Sequence, residues 1–333
     1  VAGSYLNGVF EEHPMPYAEE GYGYPEKGQA VINVANGQIM RLLVDDEAFD
    51  VGHGEMNEHT RTLDLRDGAL TRSVRWTSPA GRSVHIESSR IVSFSHRSVA
   101  AIRYRVHAID EPVTITLLSE ILANEPLPIT HDDPRVQELL AAPWTSVDAA
   151  VLGTMATVAH RTKASGILAA VSMDHIVAAS GTGEPQIRTE AGDDLARTTI
   201  TVTLERGEHL EVVKMVGHEW SDTLGASTLR DRAETAVADA LRVGWVRLLG
   251  MQRERLAEYW ACADVQLEGA LRLQQAVRFA LFQVFQASVR AERRSVPGKG
   301  LTGAGYEGHT FWDFEAFVLP VLTATSPDAA KEI

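Results

Sequence analysis

The sequence is poor in cysteine and contains no long apolar run. Cys262 is the single cysteine among 333 residues, so no intrachain disulfide can form, and we expect a reducing compartment. No stretch approaches the ~18 consecutive apolar residues of a membrane span, and the first residues lack the basic and apolar regions of a signal peptide. We therefore expect a soluble, cytoplasmic protein without a membrane partner, in which Cys262 is a buried or half-buried small hydrophobe rather than a nucleophile.

Positive charge is also scarce. Lys and Arg number 31 against 45 Asp and Glu, which gives a formal net charge of -14. This balance disfavours nucleic acid as a partner, whereas a neutral ligand such as a sugar is compatible with it. The hydrophobic fraction of 44% is ordinary for a globular protein, and the chain is long enough for two domains.

Roughly the first two thirds of the chain have the pattern of strands. Apolar residues recur there in short, often alternating runs that are separated by Gly, Pro, Asp and Asn. Trp76 precedes a turn-like segment at 79–81, and Val84 and Ile86 alternate after it, which predicts a β-hairpin. Many strands without long helices between them favour an antiparallel β-sandwich over a parallel sheet.

The last third of the chain has the periodicity of helices. Ser227 or Thr228 can cap a helix over an alanine-rich segment. A second helical pattern places Leu273, Val277 and Phe285 on one face, at steps of three and four residues. These patterns predict at least two helices after the sandwich.

The end of the sequence predicts a helix that has barely started. Ser326 and Pro327 are typical of a helix start, yet the last residue is Ile333. The helices predicted here are also too few to close a helical domain with its own core. We therefore expect a piece of a longer, multi-domain protein of β-then-α class. Its predicted parts are an N-terminal β-sandwich (1–225), a helical linker (226–266) and the start of a helical domain (267–333).

The densest group of residue types typical of binding sites lies at 299–317. Four glycines allow unusual backbone dihedrals and close approach to a ligand: Gly300, Gly303, Gly305 and Gly308. Aromatic and ionisable residues follow them, namely Tyr306, Glu307, His309, Trp312, Asp313 and Glu315. A glycine-rich loop that leads into a strongly apolar helix, with a kink expected at Pro320, predicts a ligand site. The alternative is a turn that packs aromatic side chains into a core.

Sugar binding gives a physical reason for these residue types. The indole of Trp312 offers a flat apolar face to a pyranose ring, and the carboxylate of Asp313 can accept hydrogen bonds from vicinal hydroxyls. The glycine spacing does not match the phosphate-binding loop of nucleotide-binding proteins. A single histidine among carboxylates, His309 with Glu307 or Asp313, is weak evidence for a metal, and we expect none.

Residues 297–317 as a whole resemble the corresponding segment of glycoside hydrolase family 65, which includes the maltose, trehalose and kojibiose phosphorylases. Segments at 4–11, 44–50 and 61–72 resemble the N-terminal domain of that family, and residues 279–283 resemble its first barrel helix. The resemblance extends over essentially the whole chain.

The resemblance implies a fold and an activity. The implied fold is an N-terminal super-sandwich, a helical linker and an (α/α)6 barrel, of which this chain would contain only the beginning. Trp312 and Asp313 match the pair that binds the non-reducing glucose, and Tyr306, His309 and Glu315 are candidates for supporting roles. The implied reaction is inverting phosphorolysis of an α-glucosyl disaccharide to β-glucose 1-phosphate. Inorganic phosphate is then the co-substrate, no cofactor is needed, and a homodimer is expected.

The resemblance also implies what this chain lacks. The family's general acid and phosphate-binding loop are expected C-terminal to Ile333, so no catalytic residue is assigned here and this piece alone is expected to be inactive. Glu307 and Glu315 are assigned structural or supporting roles rather than the role of acid. Two alternatives stay open, an inverting hydrolase of trehalase type and a non-catalytic sugar-binding or assembly module.

Overall fold

The computed structural model describes residues 3–15, 21–125, 140–291, 293–303 and 305–333. Within these residues, strands occupy the N-terminal two thirds and helices follow. The strands in chain order are β1 (Phe10–Pro14), β2 (Lys27–Val31), β3 (Asn36–Val44), β4 (Glu47–Ala48), β5 (Glu55–Asp64), β6 (Ala69–Thr77), β7 (Ser83–Val92), β8 (Val99–Ala108), β9 (Val113–Leu122), β10 (Trp144–Leu152), β11 (Met155–Thr162), β12 (Leu168–Ala179), β13 (Gln186–Ala191), β14 (Leu195–Leu204) and β15 (His209–Ser221).

The described strands form three antiparallel sheets. The largest has eight strands in the order β10-β11-β12-β15-β8-β7-β6-β5, the second has five in the order β13-β14-β9-β3-β4, and β1 pairs with β2 alone. The predicted hairpin is confirmed, since β6 pairs with β7 and Trp76 lies opposite Val84. The prediction of sandwich-like sheets followed by helices is confirmed as well.

The main core lies between the two larger sheets. Alternate residues of their strands point inward, and Val74, Val106, Ile115 and Ile200 have no exposed surface. Trp76 is also buried in this core, and its indole N–H donates a hydrogen bond to the carbonyl of His53 at 2.7 Å. Strand alternation therefore places one apolar face of each sheet against the other.

The helical part begins directly after the last strand. Its elements are α1 (Ala226–Ala263), α2 (Leu271–Ser288), a 3-10 turn (Gly305–Gly308), a π-helical turn (Phe314–Val318), α3 (Leu319–Thr325) and α4 (Pro327–Glu332). The N-cap of α1 is Gly225 and no side chain caps the helix, so the predicted cap at Ser227 or Thr228 is wrong. Gly244 has a φ of 76° and interrupts the helical dihedrals of α1.

Helix α1 packs on the outer face of the eight-stranded sheet. Leu229 and Ala233 are buried against residues of β11 and β12. The helix approaches β15 so closely that a Cβ added at Gly217 would lie 2.6 Å from the carbonyl oxygen of Ala233. Cys262, near the end of α1, is exposed, so the prediction that it is buried or half-buried is wrong.

Helix α2 packs against the second half of α1 through aromatic rings. Phe285 stacks on Tyr259 with ring centroids 4.0 Å apart, and it lies 5.1 Å from the ring of Phe94. The prediction that Phe285 faces a core is therefore confirmed. Leu273, two turns or more before this cluster, is 56% exposed, so the predicted apolar face is wrong at its N-terminal end. The contacts of Phe285 with Tyr259 and Phe94, rather than the helical period alone, therefore determine which part of α2 is buried.

Strands give way to helices between Ser221 and Ala226. The division into a sandwich, a linker and a third part at residues 225 and 266 stays a prediction. None of the helices in the described ranges combines the length and the apolar character that crossing a membrane requires.

A buried lysine lies inside the sandwich. Lys214 on β15 has no exposed surface, and its Nζ donates to the carbonyl oxygens of Glu120 at 2.8 Å and Ile39 at 3.3 Å. Burial lowers the pKa of Lys214 from 10.5 to about 7. Burial also lowers the pKa of His175 to about 3 and of His218 to about 4, with a smaller contribution from the charge of Lys214.

Replacement of this lysine is expected to change the pH dependence of stability. Between pH 7 and 10.5 the unfolded chain keeps the proton on Lys214 that the folded chain has lost, so the free energy of unfolding rises with pH, by up to about 1.4 kcal/mol per unit. Lys214→Met should lack this rise between pH 7 and 9 in urea denaturation. The exposed Lys163→Met is the control and should keep it. An equal slope in both variants would contradict the assignment.

Candidate active site

The glycine-rich segment folds into a compact turn, which we call the glycine-rich turn (residues 297–309). Three backbone hydrogen bonds close it. The N–H of Gly298 donates to the carbonyl of His309 at 2.9 Å, that of His309 to Tyr306 at 2.9 Å, and that of Gly300 to Pro297 at 2.7 Å. The two ends of the turn are thereby joined, and the helical run that follows starts from a fixed point.

The backbone of this turn is left-handed at consecutive residues. Tyr306, Glu307 and Gly308 have φ values of 54°, 55° and 73°, and this conformation costs a non-glycine residue roughly 1–2 kcal/mol. A Cβ added at Gly308 would lie 2.7 Å from Cβ of Val31 on β2. Glycine is therefore required at position 308 both by its dihedral angle and by the contact between the turn and the two-stranded sheet.

Side chains of the turn also contact the two-stranded sheet. The Nε2 atom of His309 lies 2.9 Å from the carbonyl oxygen of Gln29, to which it can donate a hydrogen bond. The carboxylate of the half-buried Glu307 lies 3.5 Å from Nε2 of His13 on β1 and 3.7 Å from Nε2 of His309. Glu307 and His309 thus hold the turn on β1 and β2, although some 280 residues separate the partners in the sequence.

A cleft of about 510 Å³ lies beside the turn. Its walls come from the N-terminal segment, from the end of β15 and from the turn itself. They include Asn7, Trp220, Arg294, Glu307 and His309. The guanidinium of Arg294 lies 4.3 Å from the ring centroid of Trp220, and Nδ2 of Asn7 is buried without a hydrogen-bond partner among the described residues.

Sequence reasoning did not assign Asn7, Trp220 or Arg294 to a site. Asn7 lies in the segment 4–11, whose resemblance to the family's N-terminal domain could have identified it as a candidate site residue. Trp220 and Arg294 carry no such signal, because Trp220 lies near the end of β15, Arg294 lies in the segment after α2, and only the folded chain brings them together. An amide, an indole, a guanidinium and a carboxylate around one cleft can bind a polar, hydroxyl-bearing ligand.

The predicted sugar-binding pair, Trp312 and Asp313, does not line this cleft. Trp312 is 88% exposed, and Asp313 and Glu315 are exposed as well. Tyr306 packs edge-on against Phe311, with ring centroids 5.3 Å apart. The site residues predicted in segment 299–317 therefore fall into two groups. Glu307 and His309 contact the N-terminal sheet, whereas Trp312, Asp313 and Glu315 project from the helical run.

The helical run begins with a π-helical turn. The N–H of Leu319 donates to the carbonyl of Phe314, five residues earlier, where an α-helix would use the fourth. Pro320 follows at once; it has no N–H, and its ring crowds the preceding turn of a helix. The predicted kink at Pro320 thus corresponds to a wider turn before it. Phe314 and Leu322 are buried and anchor the run.

Potential metal ligands gather elsewhere in the described part of the chain. Ligand atoms of His85, Glu87 and His107, on the outer face of β7 and β8, lie within 4.8 Å of one another. The Nε2 atom of His107 is 3.4 Å from the carboxylate of Glu87. Burial lowers the pKa of His107, and the neighbouring histidines add to this. This group is separate from the glycine-rich turn, where we expected no metal.

Comparison with protein families gives matches over most of the chain. The model for the N-terminal domain of glycosyl hydrolase family 65 matches residues 1–259, and the model for the central catalytic domain of the same family matches residues 278–333. The match includes the segment that carries the glycine-rich turn and Trp312.

Individual relatives agree with the family match. An uncharacterized glycosyl hydrolase of Mycobacterium tuberculosis is 51% identical over 332 residues, which cover 100% of this chain and 42% of the relative. An α,α-trehalose phosphorylase of Thermoanaerobacter brockii is 31% identical over 332 residues, or 99% of this chain and 43% of the relative. The chain thus spans about two fifths of the length of these relatives.

A solved structure shows the same fold. A protein described as a candidate kojibiose phosphorylase from the human microbiome superposes with a TM-score of 0.87 at 23% identity, over 100% of this chain and 42% of that one. At this identity the likeness concerns the fold alone.

Substitution at Gly308 tests how the turn is held. Gly308→Ala should lower the free energy of unfolding by about 2–4 kcal/mol, because it adds a clash with Val31 to the cost of a left-handed residue. Gly81→Ala is the matched control, since Gly81 has a φ of 86° and an added Cβ there meets nothing within 4 Å. It should cost only about 1 kcal/mol. Equal losses in urea denaturation would show that the packing on Val31 contributes nothing.

Proposed function

Since the chain belongs to glycosyl hydrolase family 65, we propose that it is the N-terminal part of a glycoside phosphorylase that cleaves an α-glucosyl disaccharide with inorganic phosphate. Maltose, trehalose and kojibiose are the candidate substrates. The observation that carries the proposal is the match of the family's two domain models to residues 1–259 and 278–333. The identity of 31% to a trehalose phosphorylase over 99% of the chain supports it.

The proposed reaction proceeds with inversion at the anomeric carbon. A glutamic acid protonates the glycosidic oxygen while a phosphate oxygen attacks C1 from the opposite face. The C1–O bond breaks, the acceptor sugar leaves with the proton, and β-glucose 1-phosphate forms. Phosphate is itself the nucleophile, so the carboxylate base that inverting hydrolases use to activate water is not needed. The general acid and the phosphate-binding residues are proposed to lie beyond Ile333, and no cofactor or metal takes part.

Trp312 and Asp313 are proposed to bind the non-reducing glucose. The indole stacks on the C–H face of the pyranose, and the carboxylate accepts hydrogen bonds from two neighbouring hydroxyls. Both side chains are exposed, with 88% of Trp312 accessible. They are therefore available to a ligand or to a further part of the protein that completes the site.

Other residues of the segment are proposed to position this pair. Tyr306 packs on Phe311, which precedes Trp312, and Lys299 places its Nζ 5.1 Å from the Tyr306 ring. His309 ties the turn to Gln29. Glu315 follows Asp313 on the exposed side of the helical run and is proposed to support its orientation.

The architecture that accompanies this function is also a proposal. Residues 1–225 form the sandwich domain, residues 226–266 the helical linker, and residues 267–333 the first helices of an (α/α)6 barrel. The large exposed aromatic surface at Trp312 and Phe317, 88% and 69% accessible, is consistent with a barrel whose further helices cover it. The complete enzyme is proposed to be a homodimer.

Kinetics of the intact protein test the role of the pair. Trp312→Ala and Asp313→Asn should each lower kcat/KM for phosphorolysis by about 30- to 150-fold, which corresponds to about 2–3 kcal/mol of transition-state binding. Asp231→Asn, on the exposed side of α1, is the control and should leave kcat/KM unchanged.

The same assay distinguishes the alternatives. Turnover of maltose, trehalose, kojibiose or nigerose should require inorganic phosphate. An equal rate without phosphate would indicate a hydrolase, and no turnover of any of them would favour a non-catalytic module. Unchanged kcat/KM in both variants would remove Trp312 and Asp313 from the site.

A further inference from the structure

Three arginines share one region of the inner face of the eight-stranded sheet. Arg61 on β5 lies directly opposite Arg72 on β6, and Arg90 on β7 lies opposite Leu70, two residues before Arg72. Cross-strand neighbours on one face have Cβ atoms only about 5 Å apart, and like charges at such positions destabilise a sheet.

These arginines occupy positions where a sandwich ordinarily has apolar residues. Arg72 continues the inward-facing row of β6 that includes Val74 and Trp76, both buried in the core. The five-stranded sheet contributes Gln38 and Met40 of β3 to the same region. The core thus changes from apolar to cationic toward the edge strand β5.

The positive charge of this region is not neutralised within the described chain. Neither Arg61 nor Arg72 nor Arg90 has a carboxylate within 4.0 Å among the described residues. Arg90 donates to Oε1 of Gln38 at 3.2 Å, and the buried Nε of Arg72 has no hydrogen-bond partner there. Burial lowers the pKa of Arg90, and the charges of Arg61 and Arg72 lower it further.

The absence of acidic partners contrasts with the rest of the sandwich. The chain has 45 acidic residues against 31 basic ones. On the five-stranded sheet, Arg41 and Arg197 both pair with the buried Glu120. Across β8 and β15, Arg103 and Arg105 share Glu211. Arg61, Arg72 and Arg90 thus have no carboxylate partner among the described residues, although Arg72 lies 5.4 Å from the ring centroid of Phe49. Since Arg61 and Arg90 are also exposed, their positive charge is accessible to an anionic ligand.

A cavity of about 330 Å³ lies among these arginines. Its remaining polar walls are His59, Ser88, Gln38 and the hydroxyl-bearing Tyr104, and Ser88 lies opposite both Arg72 and Tyr104 in the sheet. Guanidinium, hydroxyl, imidazole and amide groups all can donate hydrogen bonds, and no wall residue carries a carboxylate. The volume is at the lower end of the ~300–1,000 Å³ of small-molecule sites.

We propose that this arginine cavity binds a phosphate-type oxyanion, either free phosphate or the phosphate group of a small monoester. A tetrahedral dianion can accept bidentate hydrogen bonds from several guanidinium groups at once, which one carboxylate cannot do for three arginines. The cavity lies within the sandwich and involves neither the glycine-rich turn nor Trp312, so the inference is independent of the proposed glucose site.

Thermal unfolding of the 333-residue chain tests the proposal. Wild type, Arg72→Gln, Arg61→Gln and Arg75→Gln are compared in inorganic phosphate, in glucose 1-phosphate and in sodium chloride of equal ionic strength. Arg75 is the matched control, because it lies on the opposite face of β6 and is exposed. Phosphate or its monoester should raise the Tm of wild type and of Arg75→Gln by about 2–6 °C over chloride.

The cavity variants should lose this response. In chloride, Arg72→Gln and Arg61→Gln should keep or raise the Tm, because one of two facing positive charges is removed. A larger shift with glucose 1-phosphate than with phosphate identifies a monoester site, and the reverse identifies a site for the free anion. The proposal is overturned if chloride gives the same shift as phosphate, if no anion shifts the Tm, or if the cavity variants respond like Arg75→Gln. None of these outcomes bears on phosphorolysis.

Discussion

The contact between the backbone of Gly308 and Val31 fixes the geometry of the candidate site. At this point a left-handed turn from the last part of the chain lies directly on a strand near its beginning, and no side chain fits between them. At the same interface the carboxylate of Glu307 lies 3.5 Å from Nε2 of His13, and His309 can donate a hydrogen bond to the carbonyl of Gln29. Because the turn also starts the helical run, the same contact determines where Trp312 emerges.

Much of the fold could be predicted because its signals are local. Alternation around Trp76 and Val84 identifies a hairpin, and the change to a helical period marks where the sandwich ends. The glycines of the turn also carry a signal, since Gly308 is required by its positive φ. A resemblance over the whole chain then connects these elements to one family, to which the chain belongs.

Long-range properties could not be predicted in the same way. The periodicity placed both Leu273 and Phe285 on a buried face, but only Phe285 stacks on Tyr259 of another helix, and Leu273 is exposed. Lys214 and Arg72 both stand in strands where alternation alone predicts apolar inward residues. Lys214 is satisfied by two backbone carbonyls, whereas Arg72 has no such partner among the described residues. Only the packed structure therefore distinguishes a cation with a structural role, Lys214, from one that is available to a ligand, Arg72.

The central proposal is that the intact protein transfers glucose to phosphate with inversion. Proton NMR of the first product formed from an α-glucosyl disaccharide in phosphate buffer tests it most directly, because the anomeric coupling distinguishes α- from β-glucose 1-phosphate and the two do not interconvert without ring opening. We expect β-glucose 1-phosphate as the first sugar phosphate formed. Formation of the α-anomer, or of free glucose without any sugar phosphate, would contradict it.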